Sequence, residues 1–221
     1  MSRAHLVRAN NPSPMTLDGT NTWVLRASDH SRAIVVDPGP DDPQHLQAVL
    51  EASGPAGVGL IVLTHGHADH AEAAVSFAEM AKAPVRAIEP QLCKDAEPLR
   101  HLEILDVDGV RVQVITTPGH TADSACFIVS EDRAVLTGDT ILGLGSTVVA
   151  HPDGRLLTTS IRCGCCGRLS KNASSSPSCL GTDRHAKTRP RSSTNTSRIV
   201  KNASTKCGRR SQTAPARPTM S

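Results

Sequence analysis

The stretch Thr64-His65-Gly66-His67-Ala68-Asp69-His70 decides how the rest of this sequence is interpreted. It places four potential metal ligands within six residues, directly after the apolar run Leu60-Ile61-Val62-Leu63. A short continuous apolar run is typical of a strand that is covered on both faces. Imidazole nitrogens and carboxylate oxygens are ligands that zinc, manganese and iron accept. The sequence therefore predicts a metal site where a central strand ends.

Two other segments carry similar side chains where a predicted strand stops. They are Thr117-Pro118-Gly119-His120-Thr121 and Thr137-Gly138-Asp139-Thr140. Histidines two residues apart in extended chain can face one ion, and side chains where the chain turns into a helix can face a second. We therefore expect a two-metal site with three groups of ligands: His65, His67 and His120 on the first ion, Asp69 and His70 on the second, and Asp139 between them. A water held between two such ions is largely ionised near neutral pH and supplies a nucleophile.

Ordinary structural roles compete with these assignments. Histidine or aspartate at a helix start is often only a cap, and Pro-Gly-His or Gly-Asp is also a common turn. Four ligands packed after a buried strand favour the metal site for the first segment, whereas a plain turn stays open for His120 and Asp139. The remaining histidines of the first 157 residues have no partners in sequence and are expected at the surface: His5, His30, His45, His101 and His151.

The surrounding pattern predicts strands, two helices and then strands again. Strands are expected near residues 5–7, 22–25, 33–36, 59–63, 84–88, 110–115, 125–129 and 134–136. One helix has Asp41 or Asp42 as its cap and Pro43 in its first turn. A second begins near Asp69, and its buried face is expected to hold Ala71, Ala74, Val75 and Ala78. This order indicates a layered α+β domain.

Charge divides the chain near residue 157. From Thr158 onward there are thirteen Lys and Arg residues against one acidic residue, which leaves 11 basic and 20 acidic residues in the first part. Such a break is typical of a folded domain joined to a solvated arm. We predict a domain at 1–157 and a basic, Ser/Thr/Cys-containing, disordered tail at 158–221. The sequence shows neither a secretory signal nor a membrane span, so we expect a soluble, cytoplasmic protein.

The three motif segments together resemble the metallo-β-lactamase superfamily, from about residue 5 to about residue 156. Residues 14–22 and 36–40 resemble its β-lactamase-like protein 2 branch, whose members include hydrolases and endoribonucleases. The resemblance implies an αββα sandwich with two zinc ions at one edge. It assigns His65, His67 and His120 to the first zinc, Asp69 and His70 to the second, and Asp139 to the bridge. Asp37 matches a family aspartate that orients a ligand imidazole.

The resemblance also implies a zinc-dependent hydrolase. A metal-bridging hydroxide, oriented by Asp69, would attack an ester, thioester, lactone or phosphodiester. A small-molecule substrate is favoured because the acidic first part lacks a clear phosphate-binding cluster, and RNA stays open. The sequence does not indicate an oligomeric state.

The tail departs from the family, because it lacks the segment that would supply a final histidine ligand to the second zinc. Its cysteines and basic residues leave a zinc ribbon or a nucleic-acid-binding arm open. When the reading frame of the back-translated tail is shifted by one nucleotide, it permits three segments that resemble the family's missing helix, its last histidine loop and its C-terminal helix, in that order. We therefore hypothesise a frameshift near Leu156 to Thr158, which would leave the sandwich incomplete, impair the second zinc site, and make the chain inactive or poorly folded.

Overall fold

The computed structural model of this chain describes residues 4–142, 146–149, 151–155 and 178–180. Within 178–180 only the backbone is described. The frameshift, zinc-ribbon and basic-arm hypotheses concern residues that lie outside these ranges.

The first sheet contains five strands in sequential order: β1 (Ala4–Arg8), β2 (Asn21–Leu25), β3 (Ala33–Val36), β4 (Val58–Val62) and β5 (Val85–Arg86). The first three strands are antiparallel, and β3, β4 and β5 are parallel to one another. All four residues of β3 are buried, and so are four of the five in β4. The apolar run before the histidine stretch is therefore a central strand, as predicted.

The second sheet contains β6 (Ile104–Val107), β7 (Val110–Thr116), β8 (Ala125–Val129), β9 (Ala134–Leu136) and β10 (Ser178–Leu180). Strands β6 to β9 are antiparallel neighbours, and β10 pairs with β9 in parallel. Val110, Val112 and Val114 are fully buried, while the residues between them are exposed or half-buried. This alternation follows the predicted period of two and gives the sheet one face toward the core.

Three α-helices accompany the sheets in the described part of the chain: α1 (Pro43–Ala52), α2 (Ala68–Ala71) and α3 (Ala74–Ala81). Asp42 caps α1, because its side chain accepts a hydrogen bond from the Gln44 backbone N–H. None of the helices in the described ranges combines the length and apolar character that a membrane span requires.

Two hydrophobic clusters give the domain its layers. Residues of α1 and α3, with Phe77 at the centre, pack on one face of the first sheet. The opposite face of that sheet packs on the second sheet, with Phe127 and Leu136 buried between them. The described residues therefore form a helix layer, a sheet and a second sheet, as expected for a sandwich of this α+β class.

Local details differ from the sequence expectations. The single helix predicted after the histidine stretch is divided into α2 and α3. Val75 was expected in the core but is 56% exposed, and Phe77 takes that position with no exposure. The strand predicted at 84–88 is limited to Val85–Arg86. Strand β6 was not predicted, because the apolar residue Ile104 lies at an exposed position and interrupts the alternation of apolar and polar residues.

The strand directions bring the motif segments together. Strands β3 and β4 are parallel, so Asp37 and Thr64, which follow them, lie at the same edge of the first sheet. Strands β7 and β9 are both antiparallel to β8 and therefore point the same way. The segments that carry His120 and Asp139 follow these two strands at one edge of the second sheet. A backbone hydrogen bond joins the two sheets at this edge, since the Ala125 N–H donates to the Thr64 carbonyl at 2.8 Å.

Helix α3 supplies a matched pair of substitutions that tests this packing. Phe77→Ala should lower the free energy of unfolding by about 3–5 kcal/mol, because it removes a fully buried aromatic side chain from the core. Val75→Ala on the exposed face of the same helix should change it by less than about 0.5 kcal/mol. Urea unfolding followed by circular dichroism measures both, and equal losses would contradict this orientation of α3.

Candidate metal centre

Three imidazole nitrogens converge at the joined edge of the two sheets. His67 Nδ1 lies 3.0 Å from His65 Nε2 and 3.0 Å from His120 Nε2. Their potential ligand atoms all lie within 4.8 Å of one another. The predicted first group of ligands is therefore assembled from two sheets, although 53 residues separate His67 from His120.

The spacing of these nitrogens fits a metal ion. Zinc–nitrogen bonds of about 2.0–2.1 Å in tetrahedral geometry separate two ligand nitrogens by about 3.3 Å. The ring nitrogens that face away from the centre have other partners: His65 Nδ1 contacts Thr64 Oγ1 at 3.0 Å, and His120 Nδ1 contacts the Val148 carbonyl at 2.5 Å. A ring that donates its Nδ1 proton outward turns an Nε2 lone pair toward the centre, as metal binding requires.

A second group of ligands lies beside the first. His70 Nε2 is 3.3 Å from Asp69 Oδ2 and 3.5 Å from Asp139 Oδ1. The other oxygen of Asp139, Oδ2, is 3.7 Å from His120 Nε2. Since its two oxygens face different groups, the Asp139 carboxylate lies between the two candidate metal positions. Every residue predicted as a ligand from the sequence thus lies at this edge.

Asp37 lies behind both groups of candidate ligands and is hydrogen-bonded to Thr64 and His70. Its Oδ1 accepts from the Thr64 backbone N–H at 2.7 Å, and its Oδ2 accepts from Thr64 Oγ1 at 2.7 Å and from His70 Nδ1 at 2.9 Å. The Thr64 hydroxyl donates to Asp37 and so accepts from His65 Nδ1. One buried carboxylate therefore orients His70 directly and His65 through Thr64. Asp37 has φ +54°, a left-handed conformation that costs an ordinary residue roughly 1–2 kcal/mol.

The electrostatics of the two groups differ. Burial and the neighbouring His70 lower the pKa of His65 well below its usual value, and burial and His120 lower the pKa of His67. Burial also acts to lower the pKa of His70, but the Asp37, Asp139 and Asp69 carboxylates raise it well above its usual value. Without a metal, a proton on His70 compensates these carboxylates. A bound cation would take over this role, because metal ligands must be deprotonated.

The centre is open on one side. His65, His70 and His120 are buried, whereas His67 is exposed and the Asp69 side chain is 30% exposed. A cleft of about 310 Å³ begins at His67 and is lined among others by Glu89, Leu92, Asp123 and Asp153. A small molecule in this cleft would lie beside the first group of ligands.

Sequence reasoning missed three residues of this region. Thr64 links His65 to Asp37, and Thr20 Oγ1 donates to Asp69 Oδ2 at 3.0 Å. His45 was expected at the surface but is only 5% exposed, and its Nε2 lies 2.9 Å from Thr22 Oγ1. Its position four residues before the core residue Val49 in α1 was the available signal, because that spacing places both on one helix face. The other four histidines expected at the surface are exposed: His5, His30, His101 and His151.

Fold and ligand arrangement define a metal-binding α+β sandwich. The profile of the metallo-beta-lactamase superfamily matches residues 15–165, and the chain belongs to this superfamily. A beta-lactamase-like protein 2 homolog from Drosophila melanogaster is 36% identical over 156 residues, which cover 62% of this chain and 52% of that protein. An atrochrysone carboxyl ACP thioesterase from Aspergillus fumigatus is 32% identical over 150 residues, which cover 65% and 46%.

The fold also matches a solved structure, that of TTHA1623 in a di-iron-bound form. The TM-score is 0.59 at 21% identity, over 76% of this chain and 86% of that chain. This chain spans about half the length of the curated relatives that it matches.

The Asp37 contacts predict a specific loss of metal affinity. In Asp37→Asn an amide N–H₂ replaces one acceptor oxygen, so either Thr64 or His70 Nδ1 loses its acceptor. We expect metal affinity to fall by about 10–100-fold, as for other residues that orient ligands. Zinc titration against a competing chelator measures the change.

Asp41→Asn is the matched control. Asp41 is exposed and accepts from Ser76 Oγ at 2.8 Å, away from the ligands. The zinc affinity of Asp41→Asn should equal that of the unmodified protein. An equal loss of zinc affinity in Asp41→Asn and Asp37→Asn would contradict the role of Asp37.

Proposed function

We propose that the chain is a metal-dependent hydrolase that holds two zinc ions and cleaves a thioester or ester of a small molecule. The observation that carries this proposal is the Asp139 carboxylate between two groups of imidazoles, at 3.5 Å from His70 Nε2 and 3.7 Å from His120 Nε2, with an open cleft beside His67. His65, His67 and His120 would hold one ion and Asp69 and His70 the other, with Asp139 bridging.

Two metal ions, when bound, supply an activated water at neutral pH and polarise the bond that is cleaved. Zinc is proposed because imidazole and carboxylate ligands suit it, but such ligands also suit iron. The di-iron form of the solved relative makes iron the main competing metal. Elemental analysis of protein purified without added metal distinguishes the two.

Asp69 is proposed to orient the attacking water as well as to bind metal. Burial acts to raise its pKa, but the hydrogen bonds and charge of His70, with the hydroxyl of Thr20, lower it below the usual value. The carboxylate therefore stays ionised and accepts hydrogen bonds. Thr20 Oγ1 holds Oδ2 at 3.0 Å, which leaves Oδ1 for a water on the exposed side.

The cleft favours a neutral or cationic acyl compound over a polyanion. Its lining contains Glu89, Asp123 and Asp153, and no Lys or Arg among the lining residues that the structure describes. Phosphate recognition depends on Lys and Arg contacts, so RNA is the less favoured substrate. The thioesterase name of the relative from Aspergillus fumigatus supports an acyl substrate.

The test is hydrolysis by the purified full-length chain of acyl thioesters, lactones, β-lactams and an RNA oligonucleotide. Chelation should abolish thioester hydrolysis, and added zinc should restore it. His67→Ala removes one ligand from the exposed side and should lower kcat/KM by about 100-fold or more. The exposed His30→Ala is the control and should retain full activity.

Metal stoichiometry separates this proposal from its main alternative, an inactive chain that binds metal only in part. Close to two ions per chain with a cooperative thermal transition supports the hydrolase. Close to one ion and no hydrolysis of any substrate supports the inactive chain, and hydrolysis that survives both chelation and His67→Ala would contradict the metal-dependent mechanism.

The acidic cleft predicts a preference that one substitution should change. Asp123→Asn removes a negative charge beside Gly66, where Asp123 Oδ2 lies 3.4 Å from the position of an added Cβ. One charge pair at about 4 Å in water is worth about 1 kcal/mol, so kcat/KM for a succinyl thioester should rise by up to about fivefold. Hydrolysis of the uncharged acetyl thioester should stay the same.

Asp29→Asn is the control for this charge change. Asp29 follows β2 at the end of the sheet opposite to the centre, where it pairs with Arg26. Asp29→Asn should leave the ratio of kcat/KM for the succinyl and acetyl thioesters unchanged. An equal rise of this ratio in Asp29→Asn would contradict a local effect of the charge in the cleft.

A further inference from the structure

His45 and Thr22 form a buried polar pair that the proposed reaction does not use. His45 lies in α1 and Thr22 in β2, and their side chains meet at 2.9 Å with little or no exposure. Burying a polar group costs free energy unless the group is hydrogen-bonded. The contacts of the His45 and Thr22 side chains therefore indicate which part of the structure they stabilise.

Both residues hold the turn that follows β3, from Asp37 to Gly39. Thr22 Oγ1 lies 2.6 Å from the Asp37 carbonyl, to which it donates. Because this hydroxyl donates to the Asp37 carbonyl, it accepts from His45 Nε2, so the imidazole is linked to the turn through Thr22. The pair therefore contacts the turn at the Asp37 carbonyl and at Gly39.

The turn needs such support because two of its residues have left-handed backbone conformations. Asp37 has φ +54° and Gly39 has φ +88°. A Cβ at Gly39 would lie 3.1 Å from His45 Nε2, so the imidazole is packed against this glycine. The turn is also joined to α2 and the residues that follow it, since Gly39 N–H donates to the His70 carbonyl at 3.2 Å and Ala73 N–H donates to the Gly39 carbonyl at 3.1 Å.

We infer that Thr22 and His45 are positioning residues for the metal centre. They keep Asp37 in the conformation in which its carboxylate reaches Thr64 and His70 at once. Without them, Asp37 can relax to an ordinary backbone conformation. His70 then loses its acceptor, and the Thr64 hydroxyl that contacts His65 loses its own acceptor. The inference rests on the proposed function, because it presupposes that these imidazoles bind metal.

The experiment compares zinc affinity and stability in the full-length protein. Thr22→Val keeps the shape of the side chain and removes the hydroxyl, and His45→Leu removes the imidazole that contacts this hydroxyl. Each should weaken zinc binding by about 10-fold or more, the range found when ligand orientation is lost. Thr22→Ser and His45→Gln restore hydrogen-bonding groups and should bind within about threefold of the unmodified protein.

Ser53→Ala is the matched control for stability. Ser53 is fully buried at the end of α1 and donates to the Val49 carbonyl at 2.8 Å, far along the chain from the turn. It should lower the melting temperature of the metal-free protein and leave zinc affinity unchanged. Circular dichroism confirms that each variant is folded at the temperature of the titration.

The outcomes separate this inference from the proposed function. If Thr22→Val and His45→Leu bind zinc as tightly as the unmodified protein, the positioning role is overturned while the metal centre stands. A loss of affinity in Ser53→Ala that equals theirs also overturns it, because general destabilisation would then explain the effect. If the unmodified protein binds no metal, the proposed function itself fails.

Discussion

The interaction on which the rest of the centre depends is the set of three hydrogen bonds to the buried Asp37 carboxylate. Two come from Thr64 and one from His70 Nδ1, at 2.7, 2.7 and 2.9 Å. Hydrogen bonds to an ionised group are stronger than those between neutral groups. They fix which nitrogens of His65 and His70 face the metal positions. The geometry of the candidate centre is therefore set by a residue outside both groups of candidate ligands.

A second constraint joins the two sheets at this point. Gly138 has φ +48°, and a Cβ there would lie 2.6 Å from Thr64 Oγ1. Only glycine accommodates both the backbone conformation and the close approach. Asp139 follows directly, so the contact between Gly138 and Thr64 sets where the Asp139 carboxylate lies relative to His65 and His70.

Much of this could be predicted from the sequence because the ligands are clustered. The spacing of His65, His67, Asp69 and His70 after an apolar run indicates both the strand and the metal chemistry. The order of strands and the cap of α1 at Asp42 follow from similarly local patterns. Local signals of this kind need no knowledge of the tertiary structure.

The features that the sequence did not predict depend on contacts between distant segments. Thr64 is an ordinary strand-end residue until Asp37, 27 residues earlier, is placed against it. His45 is a polar residue in an amphipathic helix, and its burial is explained only by the turn at Pro38 and Gly39. The exchange of Val75 for Phe77 in the core has a related cause, because the break between α2 and α3 rotates the following helix face.

Anomalous diffraction from crystals of the metal-loaded chain at the zinc and iron absorption edges tests the central claim most directly. The account predicts two peaks at the joined edge of the sheets, one of them about 2.0–2.1 Å from the facing nitrogens of His65, His67 and His120. The Asp139 carboxylate should lie between the peaks, with Asp37 still bonded to Thr64 and His70. A protein that takes up metal with no peak beside these three histidines would contradict it.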